Sequence, residues 1–399
     1  MRCRSWRVVC WVVCVAGLAC HAQAQVNLPP GFEIVEFAEN DYGIANVDLN
    51  DCGQVAYSQW QAPNGHSEIF VYDNQDIAQI TRTGDRNVTT YINNSGQLIW
   101  GRGIDRNPVT QLIFWDGRVE SVVDENPDGF NGRAINNLGH VYWSRKISVR
   151  CPRQENLFMW DGANTTQLTF DLELSNVQPS VNDGAEIAWA KAQFCDNPWS
   201  AEVLVRYADG QITLPSPYTQ NQATEITNSG FVTWLSTSRL MLWTGSESRL
   251  LLERSGRAAL NEWLRLYVTI FDFEKTSWNP WVLDVTDEGM NMFMLRDSDY
   301  WFSDGSVNEW GEIATSWSED PPNSRNRGAV MYLRRIRTGD SEFDGDIDLR
   351  DHKRLVRAMT GPVRTEGLCE DRFLDINHDG DLDLDDYARL QNAFTGTTP

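Results

Sequence analysis

The sequence predicts a mainly β protein: a seven-bladed β-propeller followed by a small α-helical calcium-binding domain. Three observations predict this fold. A strand–turn–strand pattern recurs through most of the 399 residues, a duplicated acidic loop lies near the C-terminus, and no segment before residue 351 has the length and periodicity of a long helix. A composition with 41% hydrophobic and 23% charged residues is that of a globular chain.

The first element, residues 1–24, is predicted to be an export signal. Three arginines among the first seven residues precede an apolar run from Val8 to Ala19, and Ala22-Gln23-Ala24 has the small-residue pattern of a cleavage site. The run is shorter than the ~20 residues that a membrane-spanning helix needs. We therefore expect cleavage near Gln25, no membrane insertion afterwards, and a bacterial protein that is secreted, periplasmic or on the cell surface. A lipoprotein signal ending at Cys20 is the alternative.

Residues 25–335 are predicted to form the propeller, because one unit recurs along them. Its clearest copies, Ile92–Trp100 and Ile135–Trp143, place an Asn-Asn-x-Gly turn between apolar, strand-length runs. The further copies are 49–57, 181–189, 226–234 and 307–314. Another apolar run follows most copies, so each unit is predicted to be a small antiparallel sheet of three or four strands.

The spacing of the copies predicts seven units. Six intervals of 43 residues separate Gly53 from Gly311, and one copy, expected between Asn261 and Gly289, is degenerate. Four-stranded units of ~40–45 residues suit a β-propeller, and a pair of β-sandwiches is the alternative. The strand-like run Phe32–Phe37 is expected to close the ring by pairing into the last blade.

The tryptophans fall into two sets. Four occupy one repeat position and are predicted to lie in the blade cores: Trp100, Trp143, Trp189 and Trp234. Five are predicted to lie in loops between strands: Trp60, Trp199, Trp278, Trp281 and Trp317. Exposed indoles are flat platforms suited to sugar rings, so a carbohydrate is a candidate ligand. Packing over the blade ends is the favoured alternative.

The repeat resembles the extracellular HAF-type repeats, in which alanine, isoleucine, asparagine and a later glycine precede a phenylalanine-leucine-tryptophan strand. Ala134–Gly139 and Leu157–Trp160 match this pattern best. The resemblance covers most of residues 25–335, and it implies a fold and an exported location rather than a chemistry.

The C-terminal element, residues 336–399, contains an acidic loop twice. Asp375–Asp386 has carboxylate or amide oxygens at positions 1, 3, 5 and 12, and the glycine at position 6 makes a sharp turn that lets position 7 offer its carbonyl. Asp340–Asp351 repeats the pattern 35 residues earlier. Hard oxygen ligands at this spacing favour Ca²⁺, and a short helix ending at glycine follows each loop. A solvated acidic tail is the alternative.

This tandem, from Gly339 to Gly396, resembles a type I dockerin with its EF-hand-like loops. The resemblance implies two bound Ca²⁺ ions and docking to a cohesin-like or other cell-surface protein partner. By position, the first ion would be held by Asp340, Glu342, Asp344, Asp346 and Asp351. The second ion would be held by Asp375, Asn377, Asp379, Asp381 and Asp386. Leu349-Arg350 and Leu384-Asp385 stand where dockerins often carry the Ser-Thr pair that reads the partner.

Four cysteines lie outside the signal, and none forms a C-x-x-C pair, so a disulfide is favoured over a zinc site in an exported protein. Cys151 and Cys195 are 44 residues apart, about one repeat. Equivalent loops on neighbouring blades lie side by side, so a disulfide between them is predicted. Cys52 and Cys369 lack such a relation, and the spacing predicts no pairing for them.

Charge and motifs restrict the function. A net charge of −22 argues against binding nucleic acid through a basic face. Neither H-E-x-x-H nor G-x-S-x-G occurs, so no catalytic residue is assigned and a non-catalytic propeller that binds a ligand or partner is the favoured interpretation. The alternative is a polysaccharide-degrading glycoside hydrolase, since dockerins usually accompany such enzymes, although its carboxylate pair would be defined only in space.

Overall fold

A computed structural model describes most of the chain after the predicted signal. The described residues are 28–29, 31–61, 65–73, 76–104, 109–195, 200–207, 210–216, 218, 220–253, 255–272, 277–286, 289–296, 300–319, 327–336, 339, 347–358, 369–376 and 382–393. The predicted signal peptide, residues 1–24, lies outside them.

Antiparallel strands make up most of the described structure. The chain enters through β1 (Phe32–Asn40). The first sheet contains β2 (Ile44–Leu49), β3 (Val55–Trp60), β4 (Ser67–Asp73), β5 (Asp76–Gln79), β6 (Arg86–Ile92), β7 (Leu98–Gly103), β8 (Gln111–Trp115) and β9 (Glu120–Glu125). The second contains β10 (Phe130–Ile135), β11 (Val141–Ser148), β12 (Gln154–Trp160), β13 (Thr165–Gln167), β14 (Ser175–Val181), β15 (Ile187–Gln193), β16 (Ser200–Tyr207) and β17 (Gly210–Leu214). Each of these sheets is two four-stranded meanders joined by one parallel contact.

Three smaller sheets follow. The third contains β18 (Asn221–Ile226), β19 (Val232–Ser236), β20 (Arg239–Trp243) and β21 (Ser248–Leu252). The fourth contains β22 (Ser255–Leu260), β23 (Arg265–Asp272), β24 (Ser277–Thr286) and β25 (Gly289–Met294). The fifth contains β26 (Trp301–Phe302), β27 (Ser306–Val307), β28 (Ile313–Ser318), β29 (Gly328–Arg335) and the N-terminal β1. The predicted pairing of the run Phe32–Phe37 into the last unit is confirmed, because it lies in β1 and β1 pairs with β29.

One turn recurs after the first strand of each meander, and its residues explain the sequence pattern. In the copy at Asn136, the Gly139 N–H donates to the Asn136 carbonyl at 3.0 Å and the His140 N–H donates to Asn136 Oδ1 at 3.0 Å. Gly139 has φ +77°, a left-handed conformation that glycine adopts without strain. Asparagine therefore closes the turn through its side chain, and glycine supplies the backbone shape.

The degenerate copy is the turn at Asn261. The Leu264 N–H donates to the Asn261 carbonyl at 3.2 Å, as glycine does in other copies, although Leu264 has φ +57°. The copy was obscured for two reasons. A leucine stands in the glycine position, and Glu262 follows its equivalent Asn228 by 34 residues instead of about 43.

The cores lie within and between the meanders. The four tryptophans predicted to be core residues are buried: Trp100, Trp143, Trp189 and Trp234. Three of their indoles donate hydrogen bonds, as with Trp100 Nε1 to Asn87 Oδ1 at 3.0 Å. Five tryptophans were predicted to lie in loops between strands. This prediction was wrong for the four that the structure describes, which lie in strands: Trp60, Trp278, Trp281 and Trp317. Trp199 lies outside the described residues.

Two disulfides are present. Cys151 and Cys195 are joined with their Cα atoms 5.7 Å apart, which is the pairing that the one-repeat spacing predicts. Cys52 and Cys369, for which spacing predicted no partner, are also joined, with Cα atoms 4.3 Å apart. This bond connects the tail to the first repeat, a relation that repeat spacing does not contain. Two disulfides are consistent with an exported protein.

The tail is a small helical unit. It contains α1 (Leu349–Ala358), a 3-10 helix (Cys369–Leu374) and α2 (Leu384–Ala393). Its buried apolar core contains Ile347, Leu355, Leu374 and Leu390. None of the helices in the described part of the chain is long and apolar enough to cross a membrane.

Candidate functional site: the axial cavity and the docked tail

A cavity of about 690 Å³ is surrounded by the first strands of the meanders and by the turns that follow them. Its wall is formed by residues 46–51, 89–94, 130–137, 178–183, 224–228, 258–260 and 303–309. Because equivalent segments of successive repeats contribute to one wall, the cavity lies where the meanders converge. Cavities of this size accommodate small-molecule ligands.

The first strands carry bulges that face this cavity. Asn46, Thr89 and Gln178 occupy equivalent repeat positions and have φ values of +54°, +57° and +54°, where L residues with a side chain are strained. Gly132 occupies the same position in the third repeat with φ +98°. The strand register shifts at this point, for example between Ala45 and Asp48. Bulges re-aim side chains, and retained strain of this kind clusters at functional sites.

The wall presents polar side chains two residues before the turns. Asp48 Oδ2 accepts the Ile92 N–H at 2.8 Å. Burial raises the pKa of Asp48 to about 6, although hydrogen bonds from Ile92 and Ser306 oppose the shift. Ser180, at the equivalent position, donates from Oγ to Glu225 at 3.3 Å. The cavity wall can therefore accept hydrogen bonds from a polar ligand and donate hydrogen bonds to it.

Hydrogen bonds link neighbouring turns around the cavity mouth. Side-chain amides donate to the carbonyl of the next turn: Asn50 to Asn93 at 2.9 Å, Asn93 to Asn136 at 3.0 Å, Asn136 to Asn182 at 3.2 Å, Asn182 to Thr227 at 2.9 Å, Asn261 to Asn308 at 3.0 Å, and Asn308 to Asn50 at 3.1 Å. The last of these bonds connects the final turn with the first.

Comparisons with known proteins agree with this geometry. No protein-family profile matches the chain, and no curated protein sequence matches it. Its structure is similar to the β-propeller domain of the Trilobed protease from Pyrococcus furiosus, with 11% identity and a TM-score of 0.54 over 74% of this chain and 98% of that one. The β-rich part of the chain is a β-propeller.

Two larger proteins share the propeller fold. Pyrococcus horikoshii acylaminoacyl peptidase is 12% identical with a TM-score of 0.52, over 70% of this chain and 49% of that one. The tricorn protease is 9% identical with a TM-score of 0.51, over 92% of this chain and 42% of that one. This chain spans about half the length of the peptidase and less than half of the tricorn chain. At such identities the likeness concerns the fold alone.

Carboxylates at the propeller's cavity mouth repel one another. The Glu309 N–H donates to Asp51 Oδ1 at 2.8 Å, and the Glu262 N–H donates to Glu309 Oε2 at 3.2 Å. Burial, reinforced by the charge of Asp51, raises the pKa of Glu309 to about 7. Burial also raises the pKa of Asp51. The mouth therefore carries a carboxylate that takes up a proton close to neutral pH.

Glu309→Gln is expected to stabilise the protein above pH 7 and to have little effect near pH 4.5. The folded pKa of Glu309 lies above its ordinary value of 4.5, so the folded state binds the extra proton and stability falls as the pH rises from about 4.5 to 7. Because the Glu309 side chain is partly exposed, the substitution should raise the free energy of unfolding at pH 8 by about 2 kcal/mol. Urea unfolding from pH 4.5 to 8 measures it, with Glu247→Gln at an exposed turn as the control. A gain of equal size at both ends of the range would contradict this assignment.

The tail's 3-10 helix docks on the propeller between its first and last repeats. Cys369 is bonded to Cys52 in the first turn. Arg372 forms an ion pair with Glu312, the residue before β28, and these side chains are only 12% and 2% exposed. The Phe373 ring packs edge-on against Trp310, with centroids 5.2 Å apart. A covalent bond, a buried ion pair and an aromatic contact therefore hold the tail on the propeller.

Three of the ten predicted calcium ligands lie within the described residues. Asp351, Asp375 and Asp386 are almost fully buried. Asp351 Oδ2 accepts the Asp348 N–H at 2.9 Å, and Asp386 Oδ2 accepts the Asp383 N–H at 3.2 Å in the same way. The other seven lie outside the described residues: Asp340, Glu342, Asp344, Asp346, Asn377, Asp379 and Asp381. Among the described residues, no three acidic, histidine or cysteine side chains are grouped to hold a metal ion.

Two site residues were missed by sequence reasoning. Arg372 lies between the two acidic loops, where no periodic pattern marks it. Arg133 could have been noticed, since it is a charged residue three positions before a turn asparagine, where the other repeats carry none.

Proposed function

We propose that this chain is an exported, non-catalytic binding protein whose propeller holds a polar ligand in the axial cavity. A calcium-loaded, dockerin-like tail would display or anchor it on a cell-surface partner. The observation that carries the proposal is the cavity itself, about 690 Å³ in volume and formed by equivalent segments of successive repeats. Its polar lining suits a carbohydrate or another hydroxyl-rich ligand.

We also propose that the propeller has seven blades and is closed. Seven equivalent turns support the count, with their first residues at Asn50, Asn93, Asn136, Asn182, Thr227, Asn261 and Asn308. Closure is supported at two levels: β1 adds an outer strand to β29, and the last turn donates hydrogen bonds to the first.

The calcium role of the tail is supported by its internal symmetry. Asp351 and Asp386 are buried carboxylates 35 residues apart with matching hydrogen bonds. Their neighbours in sequence, His352 and Tyr387, are also 35 residues apart, and His352 Nε2 lies 3.0 Å from the Tyr387 hydroxyl. Oxygen donors of this type suit Ca²⁺. When bound, the ions would supply positive charge at the two acidic loops, and Asp351 and Asp386 would tie each loop to the start of its helix.

A ligand screen on the purified mature chain tests the binding function. Neutral and acidic saccharides and short peptides are screened by thermal shift, and hits are measured by calorimetry. We expect a ligand that raises the melting temperature of the parent, and a smaller shift for Asp48→Asn in the cavity wall. Asp116→Asn, in an exposed turn away from the cavity, should behave like the parent. Catalytic turnover of a polysaccharide would contradict the proposal. So would ligands that shift the melting temperature of Asp48→Asn as much as that of the parent.

A further inference from the structure

Arg133 is a buried cation in the cavity wall. Arg133 lies in β10, and the residue is only 7% exposed. Nε and Nη1 are buried and have no hydrogen-bond partner among the described residues. A buried guanidinium without an anion opposes folding. Within the described part of the chain, this charge is therefore kept at a cost to stability.

The repeat does not require a charge at this position. Arg133 lies three residues before the turn asparagine, and the equivalent residues of the other repeats are Val47, Thr90, Pro179, Thr224, Ala258 and Gly305. All six are uncharged. A position where one repeat departs from the local rule without a structural gain points to function.

The neighbouring strand β7 leaves room for the guanidinium. A side chain at Gly101 of β7 would collide with Arg133 Nη1 and with Val109 Cγ1. Tyr91, which also lines the cavity, is the ionisable group that acts on Arg133, and burial lowers the pKa of the guanidinium. Among the described residues, the neighbours of Arg133 therefore include a phenol, a glycine and a valine, and no carboxylate is paired with it.

We infer that Arg133 is the anion-binding group of the cavity and pairs with the carboxylate or phosphate of an acidic sugar. The inference rests on the proposed ligand-binding role of the cavity. Arginine presents a planar fork of donors that matches both oxyanions. Asp48, Glu225 and Asp304 also line the cavity, so the ligand needs hydroxyl donors for these acids besides its oxyanion. An acidic sugar combines both features.

The test compares Arg133→Met with Arg102→Met in the full mature chain. Arg102 lies in β7 next to Gly101, forms an ion pair with Glu120, and does not line the cavity. Both substitutions remove one positive charge. The probes are glucuronate, glucose 6-phosphate and neutral glucose, measured by calorimetry and thermal shift. The two acidic sugars distinguish a carboxylate ligand from a phosphate ligand.

We expect at least one acidic sugar to bind the parent and Arg102→Met, and Arg133→Met to lose about 10- to 100-fold in affinity. Without ligand, Arg133→Met should melt above the parent, because an unpaired buried charge is gone, whereas Arg102→Met should melt below it. Equal binding by the parent and Arg133→Met would overturn the inference. A lower melting temperature or failed folding of Arg133→Met would also overturn it, because Arg133 would then be structural. Cavity binding of neutral glucose alone would overturn this inference and leave the proposed function standing.

Discussion

Replacement of Arg372 with methionine is expected to lower the free energy of unfolding by about 3 kcal/mol at neutral pH, because it leaves the Glu312 carboxylate buried without its charge partner. With Glu312 only 2% exposed, water cannot replace the guanidinium while the tail stays docked. Methionine preserves most of the apolar stem, so the change reports mainly on the charge. Urea unfolding of the full chain measures the difference.

The pH dependence of this loss has a definite sign. Burial alone raises the pKa of Glu312, but the charge of Arg372 and hydrogen bonds from Asn308 outweigh it and hold the pKa below its ordinary value of 4.5. A lowered folded pKa contributes stability that is present above the unfolded pKa and is lost as the pH falls through the folded one. In Arg372→Met only hydrogen bonds still oppose the effect of burial on the pKa of Glu312, so the deficit should be largest at neutral pH and shrink toward pH 4. A deficit independent of pH would contradict the assignment.

A matched pair of turn glycines separates tail docking from backbone strain. Gly53 and Gly96 occupy equivalent turns with φ values of +76° and +70°. An alanine methyl at Gly53 would collide with Arg372 Nη1, whereas at Gly96 it would lie 3.4 Å from Gln54 Oε1. Both substitutions carry a similar strain of about 1 kcal/mol. Only Gly53→Ala should also increase amide exchange in the 3-10 helix of the tail.

The propeller could be predicted from sequence because its repeat depends on local chemistry. Each turn needs a side-chain oxygen that accepts the N–H four residues later and a residue that adopts positive φ. Asn136 and Gly139 show both, and Thr227 replaces the asparagine in one turn. Ala185 takes the glycine position in a copy that is still recognisable, so the prediction weakened only at Leu264, where the missing glycine coincides with an irregular spacing. The β-propeller is therefore confirmed, while the blade count, the ring closure and the calcium sites remain predictions.

The cavity and the docked tail could not be predicted in the same way. The cavity-facing position two residues before each turn carries Asp48 in one repeat, Ser180 in another and Glu225 in a third, so it has no common residue. Docking joins Cys52 to Cys369 across 317 residues of sequence. No periodicity relates such distant positions, and only the folded structure brings them together.

Removal of Ca²⁺ is expected to unfold the tail while the disulfide keeps it attached. Residues 339–399 carry 15 acids and 7 bases, a net charge of −8. The tail core described above is small, and such a unit is marginal even without charge repulsion. Each ion at a hundred times its Kd adds about 2.7 kcal/mol, so two ions add roughly 5 kcal/mol. Hydrogen exchange of the full chain in Ca²⁺ and in EDTA measures protection in α1 and α2.

The ligand assignment is tested by two adjacent aspartates that change the charge equally. Asp386 is fully buried and accepts the N–H groups of Ile376 and Asp383, whereas Asp385 is exposed and is not a predicted ligand. Asp386→Asn should abolish the protection that Ca²⁺ confers on α2, because metal binding and folding are coupled. Asp385→Asn should retain it. The Cys52–Cys369 bond attaches the tail to the first repeat, and the ion pair of Arg372 with Glu312 attaches it to the last. EDTA should therefore also loosen amides in β28 and β29, beyond the tail itself. Protection of α1 and α2 that is equal in Ca²⁺ and in EDTA would show that the tail folds without the ions.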